Sequence, residues 1–131
     1  MPCTSACRTE GELIAVILVV DDDPSVRAST SRLLSAYGHT VCEAATAALA
    51  VQRATEVRPD AILMDLHMPN HSGIDAARQI KQLAELRDIP IIAISATPPD
   101  WIHLSALFST VLHKPCPTPV LLAALAAAIQ H

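Results

Sequence analysis

Two short apolar runs, each stopping at aspartate, constrain the fold of this chain more than any other feature. Ala15 to Val20 is a continuous β-branched and aliphatic run that ends in Asp21-Asp22-Asp23. Ala61 to Met64 repeats the form and ends in Asp65, followed by the Pro- and Gly-containing loop His67 to Gly73. Runs this short and this uniformly apolar read as strands buried on both faces, the strand type of parallel sheets. Each delivers an acid to the end of its strand.

The stretches between carry helical patterns. Asp23 is placed to cap a helix with Pro24 at its first position, Val26, Leu33, Leu34 and Tyr37 on one face, and Gly38 as its terminator. Thr40 to Glu43 reads as a short strand, and Thr46 to Val57 as a helix stopped before Pro59. Ser72 is expected to cap a third helix carrying Ile74, Ala77 and Ile80 and running on to Ala84. Pro90 to Ser95 reads as a strand, and Pro98-Pro99-Asp100 opens a short helix through Leu107. Thr110 to His113 is a weak strand. Thr118-Pro119 starts the last helix, with Leu122, Leu125 and Ile129 expected inward.

Five strands alternating with five helices over short crossovers give an α/β domain: a doubly wound parallel sheet in three α/β/α layers. Residues 1–12 are polar and aperiodic and are expected to be a flexible N-terminal extension. Residues 13–131 form one domain.

Composition narrows the function. The chain is 51% hydrophobic with one Trp, one Tyr and one Phe, so its core must be aliphatic. A net charge of −4 with scattered Lys and Arg argues against a nucleic-acid surface. No apolar run approaches the roughly 20 residues of a membrane helix, and the N-terminus lacks a signal-peptide pattern. The expectation is a cytoplasmic protein with no membrane contact. Cys3, Cys7, Cys42 and Cys116 fit no common zinc spacing and are expected to be reduced thiols, with a Cys3 and Cys7 redox or metal pair as the minor reading. His39, His71, His103, His113 and His131 are expected at the surface.

In a parallel sheet the carboxyl ends of the strands share one edge, where ligands bind. That edge would hold Asp21, Asp22, Asp65 and Ser95, with Lys114 just beyond the fifth strand. Three crowded carboxylates call for a cation. Oxygen-only ligands favour Mg²⁺ over Zn²⁺ or Ca²⁺. With Lys114 as countercharge and Ser95 as hydroxyl donor, the set suits a tetrahedral dianion, and a carboxylate is a competent nucleophile toward phosphoryl groups. Taken singly, the residues have plainer readings: Asp21 and Asp22 as turn and cap, Ser95 as a turn residue, Lys114 as a solvated lysine. Their order along the chain outweighs these.

Ile17-Leu18-Val19-Val20-Asp21-Asp22-Asp23-Pro24, Leu63-Met64-Asp65-Leu66-His67-Met68-Pro69 with Gly73, Ile94-Ser95-Ala96 and Lys114-Pro115 together resemble a response-regulator receiver domain of two-component signalling. The resemblance covers Ala15 to Gln130. It implies a flavodoxin-like strand order, 2-1-3-4-5, and a phosphorelay signalling module rather than a metabolic enzyme, although such modules catalyse their own phosphorylation and slow dephosphorylation. It implies Asp65 as phospho-acceptor, Asp22 as direct Mg²⁺ ligand, Asp21 acting mainly through water, and a backbone-carbonyl metal ligand at His67. Ser95 would be the switch hydroxyl, Lys114 the partner of the phosphoryl oxygen, and Lys114-Pro115 a cis bond. The implied donor is a sensor histidine kinase or histidine phosphotransfer protein, and the output a downstream protein target. No direct nucleic-acid binding is implied, and the state would be a monomer or a phosphorylation-dependent dimer.

The sequence departs from the family's pattern in three places, one of them Cys116, which replaces the frequent Phe after Lys114-Pro115. Val111 stands where an aromatic residue often couples to the switch hydroxyl, and the region from Thr97 to Phe108 is short. These last two features keep open a pseudo-receiver that docks partners without phosphorylation. A third reading is a phosphatase of the haloacid-dehalogenase type, with Asp21 as nucleophile and Asp23 as the second acid.

Overall fold

The computed structural model describes residues 15–66, 72–95, 107–114 and 116–129. Five parallel strands, β1 (Val16–Val20), β2 (Thr40–Ala44), β3 (Ala61–Asp65), β4 (Ile91–Ser95) and β5 (Thr110–His113), form one sheet in the order β2-β1-β3-β4-β5. Four helices accompany them among the described residues: α1 (Pro24–Ala36), α2 (Ala47–Val57), α3 (Ser72–Gln82) and α4 (Thr118–Ile129). The expected helix after Pro98 lies outside the described residues up to Leu107. So do Cys3, Cys7, His67, Met68, Pro69, His71, Ala96, Thr97, Trp101, His103, Pro115, His131 and residues 1–12.

The buried runs of the sequence are the central strands. Every residue of β1 and β3 is buried, as a parallel strand covered on both faces requires. Alternate side chains feed two core layers. Leu18, Ile62, Met64 and Ile91 pack with α2 and α3 residues such as Ala54 and Ile80. Ile17, Leu63 and Ile92 pack with Leu34 of α1 and with Leu121 and Leu125 of α4. Full burial of one such side chain contributes about 1.5–3 kcal/mol.

Local signals set the helix ends. The Asp23 carboxylate accepts from the Ser25 and Val26 N–H groups and caps α1, and Gly38 closes that helix at φ 91°. The Thr46 hydroxyl caps α2 by accepting from Leu49 N–H at 3.1 Å.

Three expectations are corrected. Val26 and Tyr37 lie at the surface, 41% and 57% exposed, so the inner face of α1 is narrower than its apolar pattern. The inner face of α4 centres on Leu121 and Leu125, with Leu122 half-buried. Ala and Leu surround this helix, so its apolar pattern does not fix which side turns inward. Cys42, buried in β2, is disulfide-bonded rather than a reduced thiol, whereas Cys116 is free. Spacing along the chain tests for metal patterns, not for which cysteines the fold brings together.

Candidate functional site

The parallel register brings the expected acids to one edge. β1 and β3 are adjacent, with Val20 opposite Met64, so Asp21 and Asp65 follow side by side at their carboxyl ends. One carboxylate oxygen from each of Asp21, Asp22 and Asp65 lies within 4.8 Å of the others. Asp21 and Asp65 are buried, and Asp22 is exposed.

Lys114 reaches the same point from the far side. Its Nζ lies 3.3 Å from Asp65 Oδ1. Its backbone N–H donates to Ser95 O at 2.8 Å, which fixes the end of β5 against β4. Ser95 is 4% exposed and lies at the end of β4, the strand beside β3. All five expected site residues that lie among the described residues, Asp21, Asp22, Asp65, Ser95 and Lys114, therefore sit at one edge of the sheet, at or just beyond the ends of neighbouring strands. His67 lies outside the described residues. Val111, at the position discussed above, is half-buried and faces Ala93 across the β4–β5 pair.

Burial shapes the electrostatics. It pushes the Asp21 carboxyl up to about 6, and the neighbouring Asp65 charge adds to the rise. The Asp23 N–H, donated to Asp21 Oδ1 at 2.9 Å, and the Lys114 charge pull the other way. A buried carboxylate beside another is poorly compensated by protein alone, and a cation would remedy that. The donors are all carboxylate oxygens, which fits a hard ion such as Mg²⁺.

Helix α3 begins directly against the nucleophile candidate. A Cβ built on Gly73 would stand 2.6 Å from the Asp65 carbonyl oxygen. Glycine is thus required by close backbone approach. Beside the carboxylates, a cavity of about 570 Å³ runs beneath α1 and α4, with Asp21, Asp65 and Lys114 among its lining and an apolar wall that includes Leu33, Leu63 and Leu121.

Sequence reasoning missed Arg27 and Glu43. Arg27 donates from Nη1 to Asp21 O at 2.8 Å and from Nε to Glu43 Oε1 at 3.0 Å. The available signal was a cation in the first turns of a helix, where the dipole disfavours it unless acids are near. The pairing of Asp21 with Asp23 as two catalytic acids gains no support, because the Asp23 carboxylate caps α1.

Comparison with known proteins agrees with this geometry. The sequence profile of the response regulator receiver domain matches residues 17–126. Protein PilH of Pseudomonas aeruginosa is 37% identical over 82 residues, covering 63% of this chain and 68% of PilH. Response regulator MprA of Mycobacterium ulcerans is 40% identical over 80 residues, covering 61% of this chain and 34% of MprA. The aligned stretch thus spans about a third of MprA's length. Among solved structures, the receiver domain of sensor histidine kinase PA1611 from Pseudomonas aeruginosa superimposes with TM-score 0.81 and 32% identity, over 89% of this chain and 98% of that one. That structure holds a magnesium ion in its active site cleft. Vibrio cholerae chemotaxis protein CheY4 superimposes with TM-score 0.80 and 25% identity, over 88% and 98% of the two chains. The fold, the acidic edge and the matched profile place this chain in the response regulator receiver domain family, the phosphorelay signalling modules of two-component systems.

Proposed function

We propose that Asp65 accepts a phosphoryl group from the phosphohistidine of a sensor kinase or phosphotransfer protein. The observation that carries this reading is the setting of Asp65: buried at the end of β3, 3.3 Å from Lys114 Nζ, with the carboxylates of Asp21 and Asp22 beside it. An Asp65 oxygen attacks phosphorus, the P–N bond to the donor imidazole breaks, and its electron pair returns to that ring. Lys114 neutralises charge on the transferring oxygens. Asp22, Asp21, Asp65 and the backbone carbonyl of His67 would hold Mg²⁺. When bound, the ion supplies further charge neutralisation at the phosphoryl oxygens.

The Ser95 hydroxyl is the group we assign to sensing the new phosphoryl oxygens. The added charge and acceptors then bias a protein-interaction surface read by a downstream target. We place the module in the cytoplasm with its donors. Among the described residues no helix is long and apolar enough to cross a membrane. In a reducing compartment the Cys42 disulfide is expected to open, which thiol alkylation of protein drawn from cells would report.

The test is incubation with a small phosphodonor and Mg²⁺, followed by intact mass. One acid-stable, hydroxylamine-labile phosphoryl group is expected on the wild type and none on Asp65→Asn. Absence of incorporation, or full incorporation in the variant, overturns the reading.

A further inference from the structure

Arg27 lies near the amino end of α1, where the helix dipole is unfavourable to a cation. Its side chain is only 18% exposed, and its donors are used in two directions. Nη1 holds the backbone carbonyl of Asp21, and Nε is held by Glu43 at the end of β2, the strand beside β1. The Asp21 N–H is in turn donated to Ala44 O, the residue after Glu43. The backbone that carries Asp21 and Asp22 is therefore tied to β2 through one peptide hydrogen bond and one side-chain bridge.

We propose that Arg27 and Glu43 are a positioning pair for the divalent-cation site. Arg27 fixes the peptide that aims Asp21 and Asp22. Glu43 holds the guanidinium over that carbonyl and off the carboxylates. Without Glu43, the guanidinium, whose Nη1 already meets the backbone of Asp21, is released to turn toward the carboxylates of the acidic edge, and a guanidinium forms charge-assisted, bidentate bonds to carboxylate. It then competes with the cation for the same oxygens. Edge-strand Glu43, which supplies no ligand, thus sets metal affinity. This inference rests on the reading of Asp21 and Asp22 as metal-facing groups.

The experiment is calorimetric titration with Mg²⁺ of the wild type and of Glu43→Ala, Arg27→Gln, Arg27→Lys, the double variant Arg27→Gln/Glu43→Ala and Asp22→Asn. Each protein is first shown to be folded by circular dichroism. Glu43→Ala and Arg27→Gln are each expected to bind Mg²⁺ roughly tenfold more weakly, the scale of losses from partners that orient ligands. Arg27→Lys does not restore affinity, because one ammonium cannot span both acceptors. The double variant binds like Arg27→Gln alone, because no guanidinium remains to compete.

Asp22→Asn tests the underlying reading separately: wild-type affinity there removes the metal assignment itself. Loss of binding in Asp22→Asn, with Glu43→Ala and Arg27→Gln both within about twofold of wild type, is far below the expected scale and overturns the positioning pair. Lower thermal stability without lower affinity overturns it equally, as do losses that simply multiply in the double variant.

Discussion

Replacing Asp21 by Asn in metal-free protein should stabilise the fold, although it removes a predicted metal ligand. The carboxyl is 6% exposed and lies beside Asp65. Burial raises it from the ordinary 3.8 to about 6, so the native state disfavours the ionised form. A rise of that size corresponds to about 3 kcal/mol between charge states. Asp65 and Lys114 share in that balance, so the gain expected from the substitution is smaller, about 1–2 kcal/mol. Asn keeps the shape and the Oδ1 acceptor for the Asp23 N–H, but carries no charge.

Because the folded carboxyl titrates above the unfolded one, the wild type is penalised most above pH about 6 and recovers as pH falls from there toward 3.8. The advantage of Asp21→Asn should therefore be full at pH 8 and shrink by pH 5. Urea unfolding followed by circular dichroism in chelator, at both values, measures it. Saturating Mg²⁺ should reverse the order, since a ligand that binds only the native wild type adds stability by mass action. A variant less stable than wild type in chelator at pH 8, or a gain equal at both pH values, refutes the reasoning.

Three further outcomes follow from the same structure. Gly73→Ala improves helix propensity by about 1 kcal/mol, yet its Cβ would stand 2.6 Å from Asp65 O. Overpacking against backbone should win, with a net loss of about 1–2 kcal/mol in thermal melts and slower phosphorylation from a small donor. The Ser31 hydroxyl is buried in α1 without a hydrogen-bond partner among the described residues, so Ser31→Ala should raise urea stability by about 1 kcal/mol. His39 Nδ1 accepts the Ala15 N–H at 3.1 Å, and burial lowers its pKa below 6.5. Its contribution is complete above pH 6.5 and is lost as pH falls below that value. His39→Ala should cost about 1 kcal/mol at neutral pH and flatten the acid side of the stability profile.

Much of the fold was legible because its central strands are continuous apolar runs that only a doubly covered sheet can bury. Asp21, Asp65 and Lys114 were legible for a related reason: in a parallel sheet, chemistry at successive strand ends must share an edge. Phase was less legible where composition offers no contrast, as in α4, whose Ala and Leu residues leave the inner face undetermined. Val26 and Tyr37 misled by being apolar on a helix whose contact face is narrow. Arg27 and Glu43 were hidden because their meeting depends on how α1 lies over β2, a tertiary distance with no sequence period. His39 looked like a surface histidine until the start of β1 came within its reach.

The contact between Gly73 and the Asp65 carbonyl has a mechanical consequence. At Gly73 the backbone of α3 stands too close to the Asp65 carbonyl oxygen to admit even a methyl group, so a shift of the Asp65 peptide toward the helix would press on backbone rather than on a side chain at that point. Position 73 acts as a bearing surface, and its smoothness depends on the missing methyl group.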